Sequence, residues 1–354
     1  MSGQDVICHE AGSCGLITLN RPKALNALTL RMVRGIAAAL DRWESDPAIK
    51  AVAIRGAGGK AFCAGGDIRI LYELGKAGHH DEQLAFWREE YCLNRRIKLY
   101  PKPYVALTDG IVMGGGAGLS VHGSHLIAGE NFTFAMPETG IGFIPDVGAT
   151  CFLPRLPACA GVYLALTGAR MSCGDALAFG LACAHVPAGR HDRLAQRLSS
   201  GEPVESAIAA ESAPPPASAL SGESALIAHC FSAESVPEIL GRLDEAGHSG
   251  SAFARAAAGS IRAKSPLSLV IALRQMQIGA KLGISEALQT EFRLVSRLAR
   301  SHDFYEGIRA VIIDKDNKPK WCPATLEQIA PAAIGAYFAP LASGELDFGS
   351  GGNE

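Results

Sequence analysis

Two carboxylates, Glu138 and Asp146, lie eight residues apart in Met136-Pro-Glu-Thr-Gly-Ile-Gly-Phe-Ile-Pro-Asp146. Gly140, Gly142 and Pro145 separate them. Glycine weakens a helix interior, and proline removes a donor and clashes with the preceding turn. The segment must therefore bend, and a bend can bring both acids to one cavity. Upstream, Met113-Gly-Gly-Gly-Ala-Gly118 suits close approach of backbone N–H groups to a ligand. Lys60-Ala-Phe-Cys-Ala-Gly-Gly-Asp-Ile-Arg69 has small residues at 64–66 and an acid, Asp67, placed to cap a helix over Arg69–Leu74. A tight turn made only for packing fits either glycine segment equally well. Together they suggest a device: one N–H from Gly66 and one from Gly115 aimed at a carbonyl oxygen that becomes an enolate or tetrahedral oxyanion. One such donor is typically worth about 10²–10³ in rate. Acids beside paired amide donors suit acyl chemistry, and thioesters in particular.

Composition sets the outer bounds. A chain of 354 residues exceeds one average domain, and a length prior gives about two. Its formal net charge of −2 gives no reason to expect nucleic acid or an acidic membrane surface as the main partner. The ten cysteines contain no C-x-x-C pair and sit beside no histidine cluster, so buried free thiols in a reducing compartment are expected, without a metal. Residues 1–10 hold two acids and no arginine, and no apolar run reaches bilayer length, which points to a cytoplasmic protein without a membrane partner.

The elements that must position these residues follow from periodicity. Residues 15–19, 51–55, 104–107 and 125–128 read as short strands, and 29–44 as a helix with Met32, Ile36, Leu40 and Trp43 on one face. Strand, loop and helix recur at irregular spacing, the pattern of an α/β or layered ββα architecture. Residues 201–222, with Pro214-Pro-Pro216, favour an extended connector and resist helix. Beyond them, Ser235-Val-Pro-Glu238 is a capped helix start, Ser265-Pro266 opens another, and 266–282 and 284–300 are helical. Gly349–Glu354 reads as a frayed tail.

Several ordered motifs carry a resemblance. Asn20-Arg-Pro-Lys-Ala-Leu-Asn26, Ala64-Gly-Gly-Asp-Ile68, Gly114-Gly-Gly116 and Pro137-Glu138 occur in the order and spacing of the crotonase (enoyl-CoA hydratase/isomerase) superfamily. Within it the chain is most similar to the 3-hydroxyisobutyryl-CoA hydrolases, through Arg88-Glu-Glu-Tyr91, Pro103-Tyr-Val-Ala-Leu107, Phe134-Ala-Met-Pro-Glu-Thr139, Pro145-Asp-Val-Gly148, Phe152-Leu-Pro-Arg-Leu156, His302-Asp-Phe304 and Glu306-Gly-Ile-Arg-Ala310. The resemblance implies an α/β fold: a ββα spiral core over 1–195 that binds coenzyme A thioesters, a variable connector over 196–222, and a helical region over 223–354 packing on the core.

The resemblance also implies roles. Hydratases of this superfamily hold water with two glutamates; the first would fall at position 118, which is glycine here, and the second matches Glu138. Asp146 stands where a hydratase usually has a small residue. The expected reaction thus moves from hydration to hydrolysis of 3-hydroxyisobutyryl-CoA, or 3-hydroxypropionyl-CoA, in valine breakdown. Glu138 would attack the thioester carbon or act as general base on water, two routes the sequence leaves open. Asp146 would position the substrate hydroxyl or the water, Glu90 would contact the 3-hydroxyl, and Ala24, Ala64, Gly66 and Ile68 would hold coenzyme A, with Lys23 or Arg21 near phosphates. No cofactor beyond the coenzyme A of the substrate is implied, and homo-oligomers are common among relatives. Hydration or isomerisation of another acyl-CoA and a non-catalytic binding scaffold are the rival readings. His122, His125 and Ser120 have no partner pattern and receive no catalytic role.

Overall fold

An antiparallel hairpin of β1 (Val6–Ala11) and β2 (Cys14–Leu19) starts a six-stranded sheet. The remaining strands are β3 (Ala51–Gly56), β4 (Ala61–Cys63), β5 (Tyr104–Thr108), β6 (Ile111–Met113), β7 (His125–Ala128), β8 (Thr133–Ala135), β9 (Met171–Ser172) and β10 (Ala184–His185). The larger sheet has the order β1-β2-β3-β5-β7-β10, parallel from β2 onward, and the smaller has the order β4-β6-β8-β9. Successive strands alternate between sheets: β3 then β4, β5 then β6, β7 then β8, each pair followed by a helical turn. The expected mixed α/β, ββα arrangement is what forms. The computed structural model describes residues 4–349, so the tail expected at 349–354 lies, past Gly349, outside the described residues.

By contacts the chain groups into two compact units, one of Met1–Asp67, Glu89–Phe134 and Arg170–Ser221, the other of Ile68–Arg88, Ala135–Ala169 and Gly222–Glu354. The boundaries expected at 195 and 222 were linear, whereas each unit gathers three separate segments.

The first unit contains the sheets. Ala51–Ile54 of β3 and Tyr104–Leu107 of β5 are continuous apolar runs and are buried, as parallel strands covered on both faces must be. The helix Leu30–Ser45 starts at Thr29, whose side chain accepts from the Met32 N–H, and buries Met32, Ile36, Leu40 and Trp43 as their spacing predicts. Gly15 is required beneath it, because a Cβ there would lie 2.6 Å from Cδ2 of Trp43.

One expectation fails here. The stretch 201–222 is not wholly extended: Val204–Glu211 is a helix. Its Val204, Ala207 and Ile208 join the core formed with Val105, Leu107, Ile127 and Leu194, and Arg197 Nε donates to Glu211 Oε1 at 2.9 Å. The alanines and glutamates of this run favour helix locally, and packing and a helix-end ion pair add to that. Residues 201–203 and 212–219, the latter around Pro214–Pro216, lack helix.

The second unit is helical. Val236–His248, Ala252–Arg262, Pro266–Gly279 and His302–Ile308 start at Ser235, Ser251, Ser265 and Ser301, each hydroxyl accepting an N–H three residues on. Pro237 and Pro266 occupy first-turn positions where a missing N–H costs nothing. The cysteine expectation holds in part: all ten are free thiols, four are buried, and Cys92, Cys183 and Cys322 are exposed.

The turn that precedes the first helix rests on Asn26. Its side-chain N–H groups donate to Ala57 O and Ala61 O, both at 2.9 Å, and its Oδ1 accepts from the Arg21 N–H. It is fully buried and left-handed at φ 56°, a conformation asparagine tolerates better than most residues. Asn26→Ala is expected to cost about 3 kcal/mol by leaving buried groups unpaired, measured as the shift of the urea unfolding midpoint.

Candidate functional site

Gly66 and Gly115, the two residues expected to supply amide donors, lie close together within the first unit. Leu28 and Gly66 make an isolated parallel bridge, in which Leu28 N–H donates to Gly65 O and Asp67 N–H to Leu28 O, both at 2.8 Å. In that geometry the Gly66 N–H points away from the bridge. Gly115 opens the helix Gly115–Ser120, so its N–H belongs to the first turn, where helical donors have no internal partner. Gly114 can precede it only because glycine accepts φ 47°, ψ −122°. The two loops adjoin: a Cβ built on Gly115 would lie 3.4 Å from the Gly66 nitrogen, 3.0 Å from Leu28 Cδ1, and against Glu90 Oε1. Gly66, Gly115 and Glu90 are therefore neighbours, and Glu90 is only 2% exposed.

Around this pair the coenzyme-side candidates separate. Ala64 N–H donates to Leu25 O at 3.0 Å, which joins the Pro22–Ala24 turn to the 64–66 loop. Ile68 is the first residue of the helix Ile68–Lys76. Arg21 is already engaged, donating to Ala27 O and pairing with Asp67 at 3.0 Å, whereas Lys23 is exposed. Ser120 spends its hydroxyl on Gly116 O and Ala117 O, and His125 Nδ1 meets Ser124 Oγ at 2.9 Å, in keeping with structural roles.

The acid pair lies in the second unit. Glu138 starts a short 3₁₀ turn, Glu138–Ile141, that ends at left-handed Gly142. Val147 and Gly148 are also left-handed, at φ 55° and 88°. The segment bends as its glycines and prolines require. Phe143, between the acids in sequence, stacks on Trp87 and lies tilted against Phe304, with ring centroids 5.5 Å away in each case. Both acids are buried, Glu138 8% and Asp146 5% exposed. Burial, and then the Asp146 charge, push the Glu138 carboxyl well above the usual carboxylate range, while Lys264 pulls the other way. Glu138 Oε2 is buried without a hydrogen-bond partner. An acid left dry in this way is a stronger proton acceptor, and a stronger nucleophile once ionised, than one in water.

Three residues here escaped the sequence reading. Lys264 is mostly buried and its amine is pushed down by that burial, with the Glu138 charge opposing. Gly140 and Gly168 make room for it, since Cβ atoms there would lie 3.3 and 3.2 Å from Nζ. Glu291 accepts from the Gly148 and Thr150 N–H groups at 2.7 and 2.8 Å, and Gln275 Nε2 donates to Pro145 O at 2.8 Å and Thr150 Oγ1 at 2.6 Å. All three sit in or beside segments whose helical periodicity advertises only packing. A buried-face glutamate or glutamine within such a pattern was the available signal.

Comparison with known proteins decides the family. The family model described as enoyl-CoA hydratase/isomerase matches residues 14–338. The chain belongs to the enoyl-CoA hydratase/isomerase family. Among curated members, it is 45% identical over 360 residues to the mitochondrial 3-hydroxyisobutyryl-CoA hydrolase of Danio rerio, covering 98% of this chain and 92% of that one. The human protein of the same name is 44% identical over 359 residues, with the same coverage. Among solved structures of the family, a carnitinyl-CoA dehydratase from Mycobacterium thermoresistibile superposes with a TM-score of 0.92 at 41% identity, covering 99% of this chain and all (100%) of that one. An enoyl-CoA hydratase from Rhodobacter sphaeroides gives 0.89 at 42%, covering 96% and 98%. The curated relatives are named as mitochondrial, so the cytoplasmic location expected from the sequence finds no support in them. Among the described residues no single helix is long and apolar enough to cross a membrane.

The raised Glu138 carboxyl has a consequence for stability. An acid whose folded value exceeds its unfolded one binds more protons when folded, so stability falls as pH rises above the unfolded value. Glu138→Gln removes that cost. Its melting temperature is expected to exceed that of the parent, and the gap to widen from pH 5 to pH 8 in thermal melts.

Proposed function

We propose that this protein hydrolyses a coenzyme A thioester of a short 3-hydroxyacyl group, with 3-hydroxyisobutyryl-CoA as the first substrate to test and 3-hydroxypropionyl-CoA as the second. The observation that carries the reading is the acid complement. Position 118 is a buried glycine inside the helix Gly115–Ser120, so the paired-glutamate device of a hydratase lacks its first member. Glu138 keeps its place, and Asp146 stands within electrostatic reach of it. The names of the curated relatives support hydrolysis, and the names of the two solved structures, a dehydratase and a hydratase, are the reason to test the rival.

In this reading Gly66 and Gly115 donate their N–H groups to the thioester oxygen and stabilise the charge that develops on it. Glu138 either attacks the thioester carbon, giving a mixed anhydride that water then opens, or removes a proton from the attacking water. Both routes expel the thiolate of coenzyme A, which takes up a proton. Asp146 holds the hydrolytic water or the substrate hydroxyl, and Glu90, beside Gly115, receives the 3-hydroxyl. Ala24, Ala64, Gly66 and Ile68 line the coenzyme, contributing small side chains and main-chain atoms.

Thiol release distinguishes the reactions. Free coenzyme A is expected from 3-hydroxyisobutyryl-CoA; loss of enoyl absorbance from an enoyl-CoA with no free thiol would favour hydration. Glu138→Ala is expected to abolish release while the protein stays folded, and Asp146→Gly to impair it strongly. Gly115→Val, which displaces one donor, is expected to lower kcat about 10²–10³-fold. Near-normal thiol release by Glu138→Ala would refute the assignment.

A further inference from the structure

The turn carrying Asp146 is held from within by the Ala149 N–H, which donates to Asp146 O at 3.0 Å, and by the single helical turn Ala149–Phe152 that follows. Its Val147 and Gly148 are left-handed, conformations a free chain would rarely keep. We propose that Glu291 is a positioning residue for the reaction, its carboxylate clamping the Gly148 and Thr150 amides and so fixing the turn that presents Asp146. This rests on the hydrolytic reading above. Each carboxylate oxygen takes one amide, Oε2 from Gly148 and Oε1 from Thr150, so both ends of the clamp are used. Gln275 braces the same turn from the helix Pro266–Gly279, reaching Pro145 O on one side of Asp146 and Thr150 Oγ1 on the other. The two helices thus hold main-chain atoms at 145, 148 and 150, immediately around the acid.

The chemistry of Glu291 makes mere packing a poor account. It is fully buried. Burial, then the neighbouring Asp146 charge, push its carboxyl up to about 8, against the pull of the amides. A leucine of similar size would fill the space without that cost; only an acceptor pair satisfies the two amides. The helix Ile284–Leu298 thereby contributes to the site through its hold on the backbone, without touching the acyl group.

The test uses the full-length protein and thiol release from 3-hydroxyisobutyryl-CoA, with deuterium uptake of the segment spanning 146–150. Glu291→Gln replaces one acceptor by an NH₂ group. It is expected to lower kcat about 10- to 100-fold, the effect of a small misplacement of a catalytic group, while KM stays within about 3-fold and uptake at 146–150 quickens. In an Asp146→Asn background the same change should cost less than about 2-fold more, because a residue acting through Asp146 has nothing left to position. Should Glu291→Gln fail to fold, Gln275→Met, which removes the brace but keeps bulk, decides: reduced kcat with faster uptake supports the clamp, and parental values of both overturn it. A Glu291→Gln variant within about 2-fold of the parent kcat, or one whose loss multiplies undiminished with Asp146→Asn, overturns it as well. If the parent itself releases no thiol, the hydrolytic reading fails. Uptake then still judges the clamp, quickened exchange in Glu291→Gln upholding it and unchanged exchange refuting it.

Discussion

A glutamate held dry beside a second acid is the constraint around which the second unit is organised. Water would stabilise both carboxylates, and the fold denies it to them: Glu138 and Asp146 are buried, on one bent loop. Such a loop supplies only a few turn bonds of its own, such as Phe143 N–H to Glu138 O and Ala149 N–H to Asp146 O, so most of its order must come from outside. Phe143 stacks on Trp87 and lies tilted against Phe304, Ser265 N–H donates to Thr139 O at 3.1 Å, and Gln275 and Glu291 take polar atoms at 145, 148 and 150. The C-terminal helices therefore do more than add a layer; their side chains define where the acids stand.

The first unit brings two breaks in regular structure together, at Gly66 and Gly115, as the proposed donor pair requires. Sheets and helices consume main-chain N–H groups by construction, so donors become available only at breaks in regular structure. Gly66 is one half of an isolated bridge and Gly115 opens a short helix, where a side chain would run into the Glu90 carboxylate and press on Leu28. Glycine at 115 serves geometry rather than flexibility.

Much of this was legible in the sequence, for identifiable reasons. The helix Leu30–Ser45 and the strands β2, β3, β5 and β7 were readable because one face is apolar at a fixed period or the whole run is buried. The bend between Glu138 and Asp146 followed from glycine and proline chemistry alone. The helix Val204–Glu211 was missed because Pro203 and Pro214–Pro216 masked the alanines and glutamates between them, and because it packs against Val105, Leu107 and Leu194, which lie before it in sequence. Lys264, Gln275 and Glu291 were missed because a polar residue in a helical pattern looks the same whether it faces water or the buried loop of another segment. Fold likeness cannot supply the reaction either: structures named as a dehydratase and a hydratase superpose closely on a chain whose position 118 is glycine.

The protonation of Glu138 itself is the most direct check on this account. An infrared titration can follow the protonated-carboxyl band that disappears in Glu138→Gln. The account predicts that this band persists well above the pH at which an ordinary glutamate ionises, since burial raises the carboxyl first and the Asp146 charge second. It also predicts that Asp146→Asn moves the loss of the band to lower pH. A band lost at the ordinary glutamate value, and indifferent to Asp146, would contradict it.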